Sequence, residues 1–145
     1  MRSFSILRVV AKLLIPYILL FAFYVQFHGD FGPGGGFQAG VIFAAGIVLY
    51  GLIFGLRAAQ KVISVTLLEV MIPTGVLIYG GTGVICLLAG GNFLDYRVLD
   101  HHWGHGLVPH GQHLGIFLVE LGVGITVSGV MIAIFYLFAA RRQTS

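Results

Sequence analysis

Apolar residues fall in four long stretches, broken only by short polar connections. They run from about Ile6 to Phe27, Phe37 to Leu56, Leu67 to Gly90 and His113 to Ala140. Crossing the hydrocarbon core of a bilayer takes about 20 mostly apolar residues in a helix, and each stretch meets that length. Arg8 and Lys12 sit in the opening turns of the first stretch, where long side chains can reach back to the interface. The second holds no charge, the third has Glu69 near its start, and the fourth has Glu120 inside it. The pattern predicts an all-α integral membrane four-helix bundle. One transmembrane domain over 1–145 is expected, with helices at about 6–27, 37–56, 67–90 and 113–140. The run from Leu13 to Val25 has the length of a signal-peptide core. With Ile6 to Ala11 included it is long enough to span, and no small-x-small cleavage signal follows, so a retained helix is expected.

Composition strengthens this reading. The chain of 145 residues is 58% hydrophobic and 9% charged. A soluble domain carries about 25% charged residues, so lipid must cover much of this surface. The 22 glycines fit as well, because small residues let membrane helices approach closely. The basic residues cluster beside the apolar runs, as Arg2, Arg8 and Lys12, then Arg57 and Lys61, then Arg141 and Arg142. Arg97 alone lies in either of the other two connections. Basic residues mark the cytoplasmic side. Both termini are therefore expected in the cytoplasm, with Gly29–Gly36 and Gly91–Gln112 outside. The clusters are topology signals and not a nucleic-acid surface. The single cysteine, Cys86, excludes an internal disulfide and reads as a small buried hydrophobe.

Two helices carry stripes of small residues. Gly40, Ala44, Gly51 and Gly55 lie within about 60° of one another at 100° per residue. Gly115, Gly122 and Gly129 recur every seven residues. Such stripes pack within the chain or against a partner subunit. Four short helices enclose no pore wide enough for independent transport, which favours a subunit over a complete transporter.

The most informative run is His28-Gly-Asp-Phe-Gly-Pro33-Gly34-Gly35-Gly36-Phe37-Gln38-Ala-Gly40. Pro33 bars continuation of the first helix, and the glycines permit positive φ and close backbone approach. Gly34, Gly35 and Gly36 expose N–H groups at the start of the second helix, a place that favours an anion or a partner carbonyl. The Lys and Ser/Thr of a phosphate-binding loop are absent. The run from Pro33 to Gln38 is accordingly read as a partner-docking turn, set against a purely structural turn.

This run, Pro33-Gly34-Gly35-Gly36-Phe37-Gln38, with the apolar helix before it and Gly40 after it, resembles the B subunit of the Mrp (also called Mnh) family of multi-subunit Na⁺/H⁺ antiporters. A second resemblance lies at Gly115-Ile-Phe-Leu-Val-Glu120-Leu-Gly122-Val, which is similar to the last helix of that family. The region 58–110 is less specific, and its His-rich loop does not match the pattern. The resemblance implies a small companion subunit of a hetero-oligomer. Its two large partners would resemble the antiporter-like subunits of respiratory complex I, with Na⁺ and H⁺ as the transported ions. Related domains in membrane-bound hydrogenases keep a redox-linked complex as the alternative.

Buried ionisable residues are the candidate chemistry. A carboxylate in the middle of a spanning helix costs about 2.5–3.5 kcal/mol on insertion scales, so Glu120 should face protein or water. His113 lies seven residues earlier, about 20° away on the same face, and Gly124 and Ser128 continue that face. Glu120 and His113 are thus ion-path candidates, set against a purely architectural glutamate. Glu69 lies one turn before Pro73, which cannot donate to the Glu69 carbonyl. The free carbonyl and the carboxylate make Glu69 a third ion-path candidate, set against a glutamate placed by the helix dipole. His101, His102, His105, His110 and His113 invite a zinc or copper reading, but no cysteine accompanies them. No metal site, no cofactor and no enzymatic activity are expected. Haem held by His28 and His113 is the redox variant, and it requires the two side chains to converge.

Overall fold

The computed structural model describes residues 5–29, 34–99 and 110–141. The helices with described bounds are, in order, α1 (Ser5–His28), α2 (Gly36–Phe54), α3 (Leu56–Val62), α4 (Val65–Leu88) and α5 (His110–Arg141). α1, α2, α4 and α5 are each long and apolar enough to cross a membrane. α1 and α4 have 24 residues each, or about 36 Å at 1.5 Å per residue.

α5 is the centre of the arrangement. It packs along α2 on one side and α4 on the other, while α1 packs along α2. The small-residue stripes make this possible. A Cβ on Gly40 would lie 2.7 Å from the carbonyl oxygen of Gly124, and one on Gly51 would meet the Phe135 ring at 2.6 Å. Across the other interface, a Cβ on Gly122 would lie 2.7 Å from the Gly75 carbonyl oxygen, and one on Gly129 would meet Ile72 at 2.9 Å. The stripes on α2 and α5 therefore pack within the chain. Gly55 is the exception: it has φ 96°, ends α2 and has no neighbour that a Cβ would meet. At the α4–α5 seam the single Thr126 hydroxyl proton has two acceptors in reach, the Gly122 carbonyl of its own helix (3.0 Å) and the Ile72 carbonyl across the seam (3.4 Å).

The connection expected over 57–66 contains the short helix α3. Leu56, Ala59 and Ile63 are buried, and Arg57 and Lys61 on the opposite face are exposed. α4 starts two residues before the expected position because Ser64 caps it, accepting from the Leu67 N–H at 3.1 Å. Leu56, Ala59 and Ile63 join Ala44, Ile47, Leu68, Ile132 and Tyr136 in one core at the cytoplasm-assigned end. There the Tyr136 hydroxyl donates to the Ile63 carbonyl at 2.9 Å. Tyr136→Phe leaves that buried carbonyl without its donor, at an expected cost of about 1–3 kcal/mol. Thermal unfolding of the protein in detergent should show the loss, and an unchanged midpoint would remove the bond from the account of stability.

Candidate functional site at the α1–α2 connection

The two motif regions, far apart in sequence, meet. Glu120 on α5 lies against both ends of the α1–α2 connection. A Cβ on Gly29 would stand 2.5 Å from Glu120 Oε2 and 2.8 Å from Oε1, and one on Gly35 would stand 3.1 Å from Oε1. Gly36, the first residue of α2, approaches the Glu120 backbone so closely that a Cβ would overlap its carbonyl oxygen. The ends of the connection also touch each other, since a Cβ on Gly29 would lie 2.8 Å from the Gly35 Cα. Gly35 has φ 133°, a region that L side chains rarely adopt, so glycine is required there for conformation as well as for space. The glutamate side chain is half-buried. Its carboxylate thus lies by the N-terminal end of α2, where the helix dipole favours negative charge.

Helix contacts fix the height of this site. Gly36 and Glu120 are level, and two residues further along α5, roughly 3 Å on, Gly122 is level with Gly75 and Tyr79 of α4. From Tyr79 to Leu88, α4 runs on for nine residues, or roughly 14 Å. From Glu120 back to His110, α5 runs on for ten residues, or roughly 15 Å. The α4–α5 pair therefore extends well past the described ends of α1 and α2 on the side assigned outside. Glu120 and the glycines lie at the foot of that step. Non-helical backbone at membrane depth is tolerated where protein covers it or water reaches it.

The other candidates are dispersed. His113 is exposed on α5, seven residues or about 10 Å above Glu120. Phe37 and Gln38 are exposed beside the glycines, and Pro33 lies outside the described residues. Glu69 is exposed near the opposite end of α4, six residues below the Gly75 contact, and does not join Glu120. His101, His102 and His105 lie outside the described residues, and no group of three metal-ligating side chains occurs among those described. The His28 ring stacks on Tyr24 with centroids 5.3 Å apart.

One residue escaped the sequence reading. Gln26 of α1 is buried, with 6% exposure, and its Oε1 faces α5 at Gly124, where a Cβ would approach to 2.6 Å. Its Nε2 has no hydrogen-bond partner. The signal was a lone amide inside an otherwise apolar helix.

The family pattern described as a domain related to the MnhB subunit of the Na⁺/H⁺ antiporter matches residues 6–133. The chain belongs to the MnhB family. A Staphylococcus haemolyticus protein described as antiporter subunit mnhB2 is 33% identical over 129 residues, covering 89% of each chain. Its counterpart in Staphylococcus epidermidis is 31% identical over 138 residues, covering 95% of this chain and 96% of the relative. A Staphylococcus aureus relative of the same description is 31% identical over the same length. The match to the family spans α1 to most of α5, so it includes both the glycine run and Glu120.

Proposed function

We propose that this MnhB-family chain is a small non-catalytic subunit of a multi-subunit Na⁺/H⁺ antiporter in the cell membrane. It is needed for assembly, and Glu120 lines part of the ion route. The observation that carries the reading is the carboxylate of Glu120 held against Gly29 and Gly35 at the foot of the step between the two hairpins. A half-buried carboxylate beside the N-terminal end of a spanning helix is a group that can hold a proton or a cation on a route. Family membership and the names of the relatives support the antiporter setting and do not favour the hydrogenase-type alternative. Two large complex-I-like subunits are the partners this reading requires. The Pro33–Gln38 run is the docking turn toward them, offering the exposed Phe37 and Gln38, while Gly35 and Gly36 stay packed on Glu120 of this chain.

Purification through a tag on this chain should recover those large subunits. Vesicles containing the whole complex should exchange Na⁺ for H⁺, while vesicles holding this chain alone should not. Antiport by the isolated chain, or a complex that assembles and transports without it, would overturn the reading.

Orientation gives a separate test. Seven of the eight Lys and Arg lie at the termini and around α3, so both termini face the cytoplasm. A reporter that works only in the cytoplasm should be active when fused at Ser145, and one that works only outside should be silent. The reverse pattern would invert the topology and put the Glu120 step on the inner side.

A further inference from the structure

Between α1, α2 and α5 lies a half-open cavity of about 190 Å³, with the exposed rings of Phe23 and Phe27 on its lining and Met71 of α4 also reaching it. Its walls are mostly apolar, including Ala22, Phe23, Phe43 and Ile125. Two polar side chains break that lining, Gln26 from α1 and Ser128 from α5, and both are buried. The Ser128 hydroxyl donates to the Ile125 carbonyl at 3.0 Å, which leaves its oxygen lone pairs to accept. Gln26 Nε2 is a buried donor with no partner. An apolar cavity of this size stays dry when nothing in it hydrogen-bonds, but a polar one with room for water fills, each water needing two to four polar partners. Here one wall supplies an unused donor and another an unused acceptor.

We propose that the part of this cavity walled by the buried Gln26 and Ser128 side chains holds water, which accepts from Gln26 Nε2 and donates to Ser128 Oγ. The alternatives, an acyl chain or a partner's side chain, would fill the apolar walls, but an acyl chain would leave the amide donor unmatched. Water satisfies it at the depth of Gly124, one turn below Glu120. Glu120, Gly124 and Ser128 follow one another at intervals of four on α5. Water between Gln26 and Ser128 therefore continues inward the polar line that starts at the Glu120 carboxylate. That continuation rests on the ion-route reading of Glu120, whereas the hydration itself does not.

Met71 provides the probe, because it lines the cavity, and Met131, 44% exposed on the surface of α5, is the control. Brief X-ray irradiation of the whole complex in membranes makes hydroxyl radicals from water, and these oxidise the sulfur atoms they are formed beside. Met71 should be oxidised several-fold faster than Met131. In Gln26→Leu/Ser128→Ala, a change that keeps most of the side-chain volume, the Met71 rate should fall to that of Met131. Wild-type rates that are equal would mean that an acyl chain or a partner fills the cavity and would overturn the proposal. So would Met71 oxidation that persists in the double variant. Neither readout uses antiport, so a dry cavity and a failure of the Glu120 route remain distinguishable.

Discussion

Gly36→Ala should sharply reduce recovery of the assembled complex. A single methyl group suffices, because a Cβ at Gly36 would overlap the Glu120 carbonyl oxygen and come within 2.7 Å of its carbon and 3.0 Å of its Cα. These are backbone atoms in the body of α5, so no side-chain rotation can clear the space. Overpacking a well-packed contact typically costs about 1–3 kcal/mol, and a clash with rigid backbone belongs at the upper end. Relief requires α2 to move away from α5, which also pulls Gly40 from Gly124 and Gly51 from Phe135. The expected outcome is a chain that inserts but no longer holds the α1–α2 hairpin in place. Gly80→Ala is the control, since nothing lies within 4 Å of its Cβ position and alanine favours the helix. Complex yields that are equal for the two variants would show that the close approach at Gly36 is dispensable.

The spans were legible because each is a long apolar run, and membrane length sets a threshold that α1, α2, α4 and α5 all pass. Glu120 and the Pro33–Gln38 run were each legible as unusual chemistry. Their meeting was not. Glu120 and Gly36 stand 84 positions apart, and spacing along one helix says nothing about which residue of another helix lies opposite. The seven-residue interval between His113 and Glu120 gave a shared direction, yet the structure pairs Glu120 with glycines of the α1–α2 connection and leaves His113 exposed. The step between the hairpins was hidden for a related reason: apolar length fixes where helices cross, while glycine contacts such as Gly122 on Gly75 fix how far one hairpin is displaced along another. α3 was missed because Leu56, Ala59 and Ile63 make only two turns of pattern, too short to stand out beside the spans. Gly55 before it and the Ser64 cap after it were the available signals. Gln26 could have been found as a polar residue that lipid would reject.

Glu120→Gln should leave assembly intact and lower antiport. Glutamine has the shape of glutamate, so it fits the space bounded by Gly29 and Gly35 and retains hydrogen-bonding capacity there. It removes the one property an ion route needs, a charge that titrates. A contact to a charged group is worth about 1.5–3 kcal/mol, so its loss at a rate-controlling step corresponds to roughly tenfold or more in rate. Glu120→Ala removes shape as well. It opens a gap between α5 and the glycines and deprives the groups that met the carboxylate of their acceptor, so complex yield should fall along with transport. The two variants thus separate route from scaffold. On the route, Gln is the selective defect: assembled complex, weak antiport and a changed pH profile. On a scaffold alone, Gln is silent and Ala is the damaging change. Antiport in vesicles across several pH values, normalised to assembled complex, decides between them. A Gln variant matching the unaltered protein throughout that range would confine Glu120 to holding the α1–α2 connection against α5.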